Sequence, residues 1–259
     1  MPLTVTVFPR KKGQESTVKG EGPSSATPVS LLLATLLSPT LLPACIKFLK
    51  VSDGRDKTMK LVQYTLKLLL LSHLRSSKHK VLRTRLSALV SSFSTTRKIL
   101  RLAHVIEPIE ELRDTWVTGR PQGSLSAFLG VWNDLFDDIY CLAKIKVLSG
   151  RAGDWAERPS LYCWMASTIL EIHENVAQQH DLSRRIHHLP KFASEDDEER
   201  AKLEGKLYWL RISLVKFLCD GFFCGYDLAN ASWSERAYIT SGWLSGIMST
   251  YKLWVKTNG

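Results

Sequence analysis

From residue 48 to residue 255, apolar side chains recur at helical spacing, and no sustained two-residue alternation interrupts them. That pattern admits helices and excludes a sheet as the organising element. The expected fold class is therefore all-α, a bundle of amphipathic and hydrophobic helices. Local breaks divide the run. Asp53-Gly54 interrupts it, and Ser52 or Asp56 can cap a helix over 56–74 that is apolar on more than one side and so expected to be largely buried. A second helix is expected over 78–102, and a short one over 110–116, following Pro108 and closed by 119–123. Longer helices are expected over 125–148, 159–181, 201–228 and 234–255, the fifth residue range beginning at Arg158-Pro159. Residues 182–200 contain Pro190 and the acidic run 195–199 and read as a solvated loop.

The first 47 residues read differently, as a flexible basic and apolar extension. Residues 1–28 are rich in Ser, Thr, Gly and Pro, carry Arg10, Lys11 and Lys12, and read as a mobile tail. Residues 29–46 (VSLLLATLLSPTLLPACI) are apolar, but Pro39 and Pro43 disfavour a spanning helix, and the run starts late for a signal peptide. This segment is expected to lie on a membrane or on the protein's own core. The helical domain, 48–255, divides into a basic amphipathic region (48–105), central helices (106–181), the acidic loop (182–200) and hydrophobic C-terminal helices (201–255).

Charge narrows the function classes. Residues 1–105 hold 18 Lys and Arg against 4 Asp and Glu, about +14, and the remainder holds 17 against 21, about −4, which makes the formal +10 of the whole chain. A positive front half seeks a polyanion, either nucleic acid or anionic lipid. Five cysteines, an odd number with no CxxC pair, argue against a disulfide framework and against a Cys-based zinc site.

Placed on a helical wheel, Leu82, Leu86, Leu89, Phe93 and Leu100 fall within about 60° of one another, with Val90 at the margin. Lys80 and Lys98 lie opposite this stripe, and Arg83, Arg85, Arg97 and Arg101 lie towards its flanks. Leucines entering the headgroup–acyl boundary beneath long basic side chains make a lipid-binding helix: the six apolar residues would insert and the six basic ones would hold headgroups. From the wheel alone, a core helix with a solvated basic face and a nucleic-acid helix remain alternatives. No nucleic-acid-binding module is recognisable, so nucleic acid is not an expected partner.

Residues 238–255 supply about 18 largely apolar residues, roughly 27 Å of helix, with Lys252 snorkelling and Tyr238, Trp243, Tyr251 and Trp254 near the ends. Gly242 and Gly246 form a GxxxG step, and Ser245 and Ser249 form a second small-residue pair; such ridges let membrane helices approach closely. A C-terminal transmembrane-type helix is therefore expected, making the bundle membrane-associated. No P-loop, HExxH, GxSxG or GxGxxG sequence occurs. His173, His180 and His187 recur every seven residues, but on one helix they would stand about 10.5 Å apart, too far for one metal ion. Asp134, Asp137 and Asp138 read as a solvated or ion-paired helix face. Neither an enzyme, a cofactor nor a metal site is expected.

In order along the chain, several segments resemble the peroxisomal biogenesis factor 11 family, the membrane-elongation peroxins, of fungal type. They are FLKVSDGRDKTMKLVQYTLKLLL from Phe48, LVSSFSTTRKILRL from Leu89, NDLFDDIYCLAKIKVLSG from Asn133, the Trp-containing helix from Ser160, KFLCDGFFCGYDL and GWLSGIMSTYKLW. The resemblance covers about 48–255. It implies a peroxisomal membrane protein that elongates the membrane through an inserted amphipathic helix and so promotes peroxisome fission and proliferation. It also implies anionic membrane lipids as partners, self-association, and fission machinery of dynamin type. The alternative reading is a channel or carrier for small solutes in the peroxisomal membrane. The N-terminal extension and the acidic 195–199 run depart from the family pattern.

Overall fold

The computed structural model describes residues 38–72, 80–119, 121–189 and 194–259. The tail over 1–28, residues 29–37 of the apolar segment, the expected helix start at 78–79, Arg120 and residues 190–193 lie outside the described residues. By compactness the chain divides after Pro43. Of the first unit only 38–43 are described, where the Ser38 hydroxyl accepts the Leu41 N–H at 3.0 Å and starts the first helix. Apart from residues 41–43, which open the first helix, everything that follows concerns the second unit, 44–259.

Eight helices and no strand are present among the described residues: α1 Leu41–Lys50, α2 Ser52–Ser72, α3 Lys80–Leu100, α4 Ile106–Thr118, α5 Pro121–Lys144, α6 Gly150–His188, α7 Ser194–Leu228 and α8 Glu235–Asn258. The all-α expectation agrees with this. Several boundaries move for identifiable reasons. Asp53-Gly54 lies inside the first turn of α2 and does not break it, so the break falls one step earlier, at Val51. Helix α6 starts nine residues before Pro159 because the Ser149 hydroxyl accepts the Ala152 N–H as an N-cap. Pro159 is carried inside that helix. The acidic run over 195–199 is not a loop: it lies in the opening turns of α7. Gly119 ends α4 at φ 65°, a left-handed conformation that suits glycine.

The helices close a cycle of neighbours. Helix α2 packs on α3 and α8, α8 on α7, α7 on α6, α6 on α5, and α5 returns to α3; α4 packs on the outside of α5. The polarity of this ring is unusual. Asp56, Gln63, Thr168, Asn175, Ser213, Asp220, Ser241, Ser245 and Ser249 are buried, while large apolar side chains line the exterior. On α6, Trp155, Tyr162, Ile169 and Val176 recur every seven residues at 63, 58, 58 and 49% exposure. Tyr208, Val215 and Phe222 repeat that spacing on α7, as do Val62 and Leu69 on α2 and Leu82 and Leu89 on α3. A water-facing bundle places its apolar stripes inward. Here, exposed apolar seams run along helices whose opposite faces meet a mixed interior, in which Phe48, Tyr64, Leu207 and Ile239 are buried together with these polar groups.

Candidate functional site

Two places on this ring are candidates, the outer face of α3 and the interior that the helices enclose. On α3, Leu82 and Leu89 are 47 and 42% exposed, and Leu86, Val90, Phe93 and Leu100 are half-buried. Lys80, Arg83 and Arg85 are exposed beside them. The other three basic residues of the wheel point elsewhere. The Arg97 guanidinium donates to Asp56 Oδ1 and to Gln63 Oε1, each at 2.9 Å. Lys98 Nζ stands 3.9 Å from Asp137 Oδ1 and 3.8 Å from the centre of the Tyr140 ring. Arg101 reaches Asp137 Oδ2 at 3.6 Å from a partly exposed position. The C-terminal half of α3 thus turns basic groups inward, and its N-terminal half presents leucine and cation together to the outside.

The interior is a cavity of about 680 Å³ with walls from α2, α3, α5, α6, α7 and α8. On α2, Asp56, Lys60, Gln63, Tyr64 and Lys67 follow one another at steps of four, three, one and three residues, a single helix face turned into the cavity. Three carboxylates there are each shared by two cations. Asp56 holds Arg97 at 2.9 Å and Lys57 at 3.6 Å. Asp220 holds Lys216 at 3.1 Å and Lys60 at 3.8 Å. Asp137 holds Lys98 and Arg101. The Lys60–Asp220, Lys98–Asp137 and Arg101–Asp137 pairs join front-half cations to back-half acids, whereas Lys216 and Asp220 share α7. Beyond the cavity's rim, Asp138 accepts the Ala103 N–H at 3.1 Å and His104 stands 3.7 Å from Asp134, so all three α5 carboxylates are engaged.

Burial sets the electrostatics. It pushes the Asp56 carboxyl up, but Arg97, with Lys57 and Arg101, outweighs it and holds the group below the ordinary carboxylate value. Burial lowers Lys60 to about 8 even with Asp220 beside it. Since unfolding restores an ordinary lysine near 10.4, the unfolded chain binds more protons between those values and stability rises with pH there. A thermal midpoint that climbs between pH 8 and 10 in the wild type, with a smaller climb in Lys60→Gln, is the expected result. Identical pH profiles for the two proteins would contradict it.

The small residues of α8 pack inside this chain. Gly242, Ser245, Gly246 and Ser249 are all buried. Gly242 faces the Tyr64 ring and Gly246 the Lys60 stem. Ser245 donates to Asp220 and accepts from Lys60 Nζ at 2.9 Å, while Ser249 donates to the Ser245 carbonyl at 2.7 Å. Lys252 turns in to Ser213 at 2.7 Å. The ridge expected to pack membrane helices is thus occupied by α2 and α7. None of the described helices is long and apolar enough to cross a membrane, so the transmembrane expectation for 238–255 gains no support. Polar side chains interrupt α8 on the face that meets α2 and α7, and these lower its hydropathy.

Sequence reasoning singled out α3 and α8 but not the α2 face. The spacing of Asp56, Lys60, Gln63 and Lys67 was the available signal, masked by the leucines that share the helix. Helix α6 does run through His173, His180 and His187. No group of three or more His, Cys, Asp or Glu among the described residues is placed to hold a metal ion. A family model described as peroxisomal biogenesis factor 11 matches residues 42–254. Neither a curated protein nor a solved structure matches the chain.

Proposed function

Because the chain belongs to the peroxisomal biogenesis factor 11 family, a family of peroxisome biogenesis, we propose that it is a peroxisomal membrane protein that remodels and elongates the membrane. The observation that carries this reading is the outward pairing of Leu82 and Leu89 with Lys80, Arg83 and Arg85 on α3. An interfacial helix of this kind buries leucine in one leaflet and keeps its cations at the phosphates. Insertion into one leaflet expands it against the other, and the membrane curves. Basic side chains close to an anionic surface add about 1 kcal/mol each before screening. The seven-residue apolar seams on α6 and α7 offer lipid, or a second copy of the chain, a further surface. Elongation in this way prepares the organelle for fission, and self-association and recruitment of dynamin-type fission machinery belong to the same proposal.

The test uses the full chain with anionic liposomes. Leu82→Glu/Leu89→Glu places two carboxylates on the exposed stripe without entering the interior, so its stability is expected within about 0.5 kcal/mol of wild type. Vesicle co-sedimentation is expected to fall at least tenfold and tubulation, seen by electron microscopy, to disappear. A double variant that binds and tubulates like the wild type would overturn the insertion mechanism.

The charged cavity favours a second reading, passage or carriage of small solutes across the peroxisomal membrane. Steady conductance in planar bilayers, together with liposomes that bind the protein but keep their shape, would favour it over remodelling.

A further inference from the structure

We propose that the cavity enclosed by α2, α3, α5, α6, α7 and α8 is a binding site for a phosphate-bearing anion carrying at least two negative charges. Eight basic and five acidic side chains line it, a surplus of three positive charges. The surplus has a definite origin. Asp56, Asp137 and Asp220 are each shared between two cations, so each cluster keeps one uncompensated charge, while Glu157 and Asp227 offset in number the two remaining cations, Lys67 and Arg158. Two further cations have no carboxylate in ion-pair range among the described residues. Lys67 lies over the Tyr64 ring at 4.8 Å. The Arg158 guanidinium donates only to neutral oxygens, the Leu228 carbonyl at 3.3 Å and Asn230 Oδ1 at 3.1 Å.

Like charges gathered in a partly desolvated space repel one another strongly, and a bound anion removes that penalty. Burial lowers the proton affinity of Lys60, Lys67 and Lys98, and neighbouring cations lower it further, Arg97 for the first two and Lys144 with Arg101 for the third. A phosphate group suits the donors better than a single-charged ion. Its several acceptor oxygens can meet lysine and arginine together, and its charge approaches the surplus. The volume, about 680 Å³, falls within the usual range for organic ligands. Tyr64, Trp164 and Phe223 form an aromatic stretch of the same wall, against which the organic part of an ester can lie.

Such a group comes either from a soluble organic phosphate or from a lipid headgroup. The inference shares its cavity with the solute reading but requires neither conductance nor membrane curvature. It is therefore tested by binding to the full chain in detergent. Isothermal titration would use two probes, pyrophosphate, and dioctanoyl phosphatidic acid in the same micelles. Saturable binding of pyrophosphate assigns a soluble phosphate and binding of the lipid alone assigns a headgroup; either supports the site, provided Lys67→Gln weakens it at least tenfold. Lys202→Gln, an exposed position on α7, is expected to leave binding unchanged. Should Lys67→Gln fold poorly by circular dichroism, Arg101→Gln at the partly exposed rim takes its place, with the same loss expected. No saturable heat from either probe at millimolar concentration would overturn the site. So would equal binding by wild type and the cavity variant, or an equal response to chloride at matched ionic strength.

Discussion

Arg97→Ala is expected to lower the unfolding free energy by about 3–5 kcal/mol, the usual result of stripping one partner from a buried ion pair. The Asp56 side chain is only 6% exposed and that of Arg97 13%, so the carboxylate left behind cannot recover its hydration. Gln63 would lose its guanidinium donor in the same step. Lys57 remains at 3.6 Å but sits near the surface and replaces only part of the interaction. A double variant separates the net worth of the pair from the penalty of orphaning a charge. Asp56→Leu/Arg97→Met is expected to recover most of the loss, because an apolar pair of similar volume needs no hydration. Chemical unfolding followed by circular dichroism measures all three proteins. A loss under 1 kcal/mol in Arg97→Ala would contradict the burial of the pair. The acid limb gives a second check. The Asp56 carboxyl ionises at a lower pH in the folded chain than in the unfolded one, where it titrates near 3.9. Its contribution is therefore complete above that value and lost as pH falls through the folded one. Asp56→Asn is expected to lack this part of the acid destabilisation.

Gly242→Ala is expected to cost about 1–3 kcal/mol, and Gly246→Ala to be neutral or slightly stabilising. A Cβ at 242 would lie 2.5 Å from Tyr64 Cε1 and 3.1 Å from Phe223 Cε2. The Tyr64 ring is itself held edge-on against Phe223 at 5.9 Å between centroids, so it has little room to withdraw. At 246 the nearest neighbour would be Lys60 Cγ at 3.6 Å, an ordinary contact, and replacing a helix-interior glycine by alanine adds up to about 1 kcal/mol of propensity. Thermal unfolding of the two single variants reads the asymmetry directly. If both glycines served contact between copies of the chain, the two substitutions would instead reduce self-association alike, in analytical ultracentrifugation, while leaving the fold intact. Equal destabilisation by both alanines would show that α2 does not approach α8 as described.

The order of residues is enough to establish that this chain is helical, where most of its helices run, and which family it belongs to. Those features depend on local spacing: the apolar period, the glycine that ends α4, and ordered segments from Phe48 to Trp254. The start of α6 was legible too, in Ser149, but Pro159 suggested a later one. A proline fits inside a long helix when the surrounding packing outweighs its missing hydrogen bond.

Tertiary structure alone decided what each helix face meets. The wheel of α3 placed Arg97 and Arg101 on the flanks of one stripe and Lys98 opposite it, alike in character to Arg83 and Arg85. Only the positions of α2 and α5 turn Arg97 and Lys98 to carboxylates and leave Arg83 and Arg85 outside. The same holds for the charge asymmetry between the two halves. Read along the chain, a positive front half signalled an external polyanion. Folded, part of that charge is answered internally: Lys60 by Asp220 and Lys98 by Asp137. Periodicity states which residues share a face, because neighbours on a helix are fixed by 3.6 residues per turn. It carries no information about which distant face lies opposite. That choice is made by the closing of six helices around one interior, where a buried charge costs least beside an opposite one.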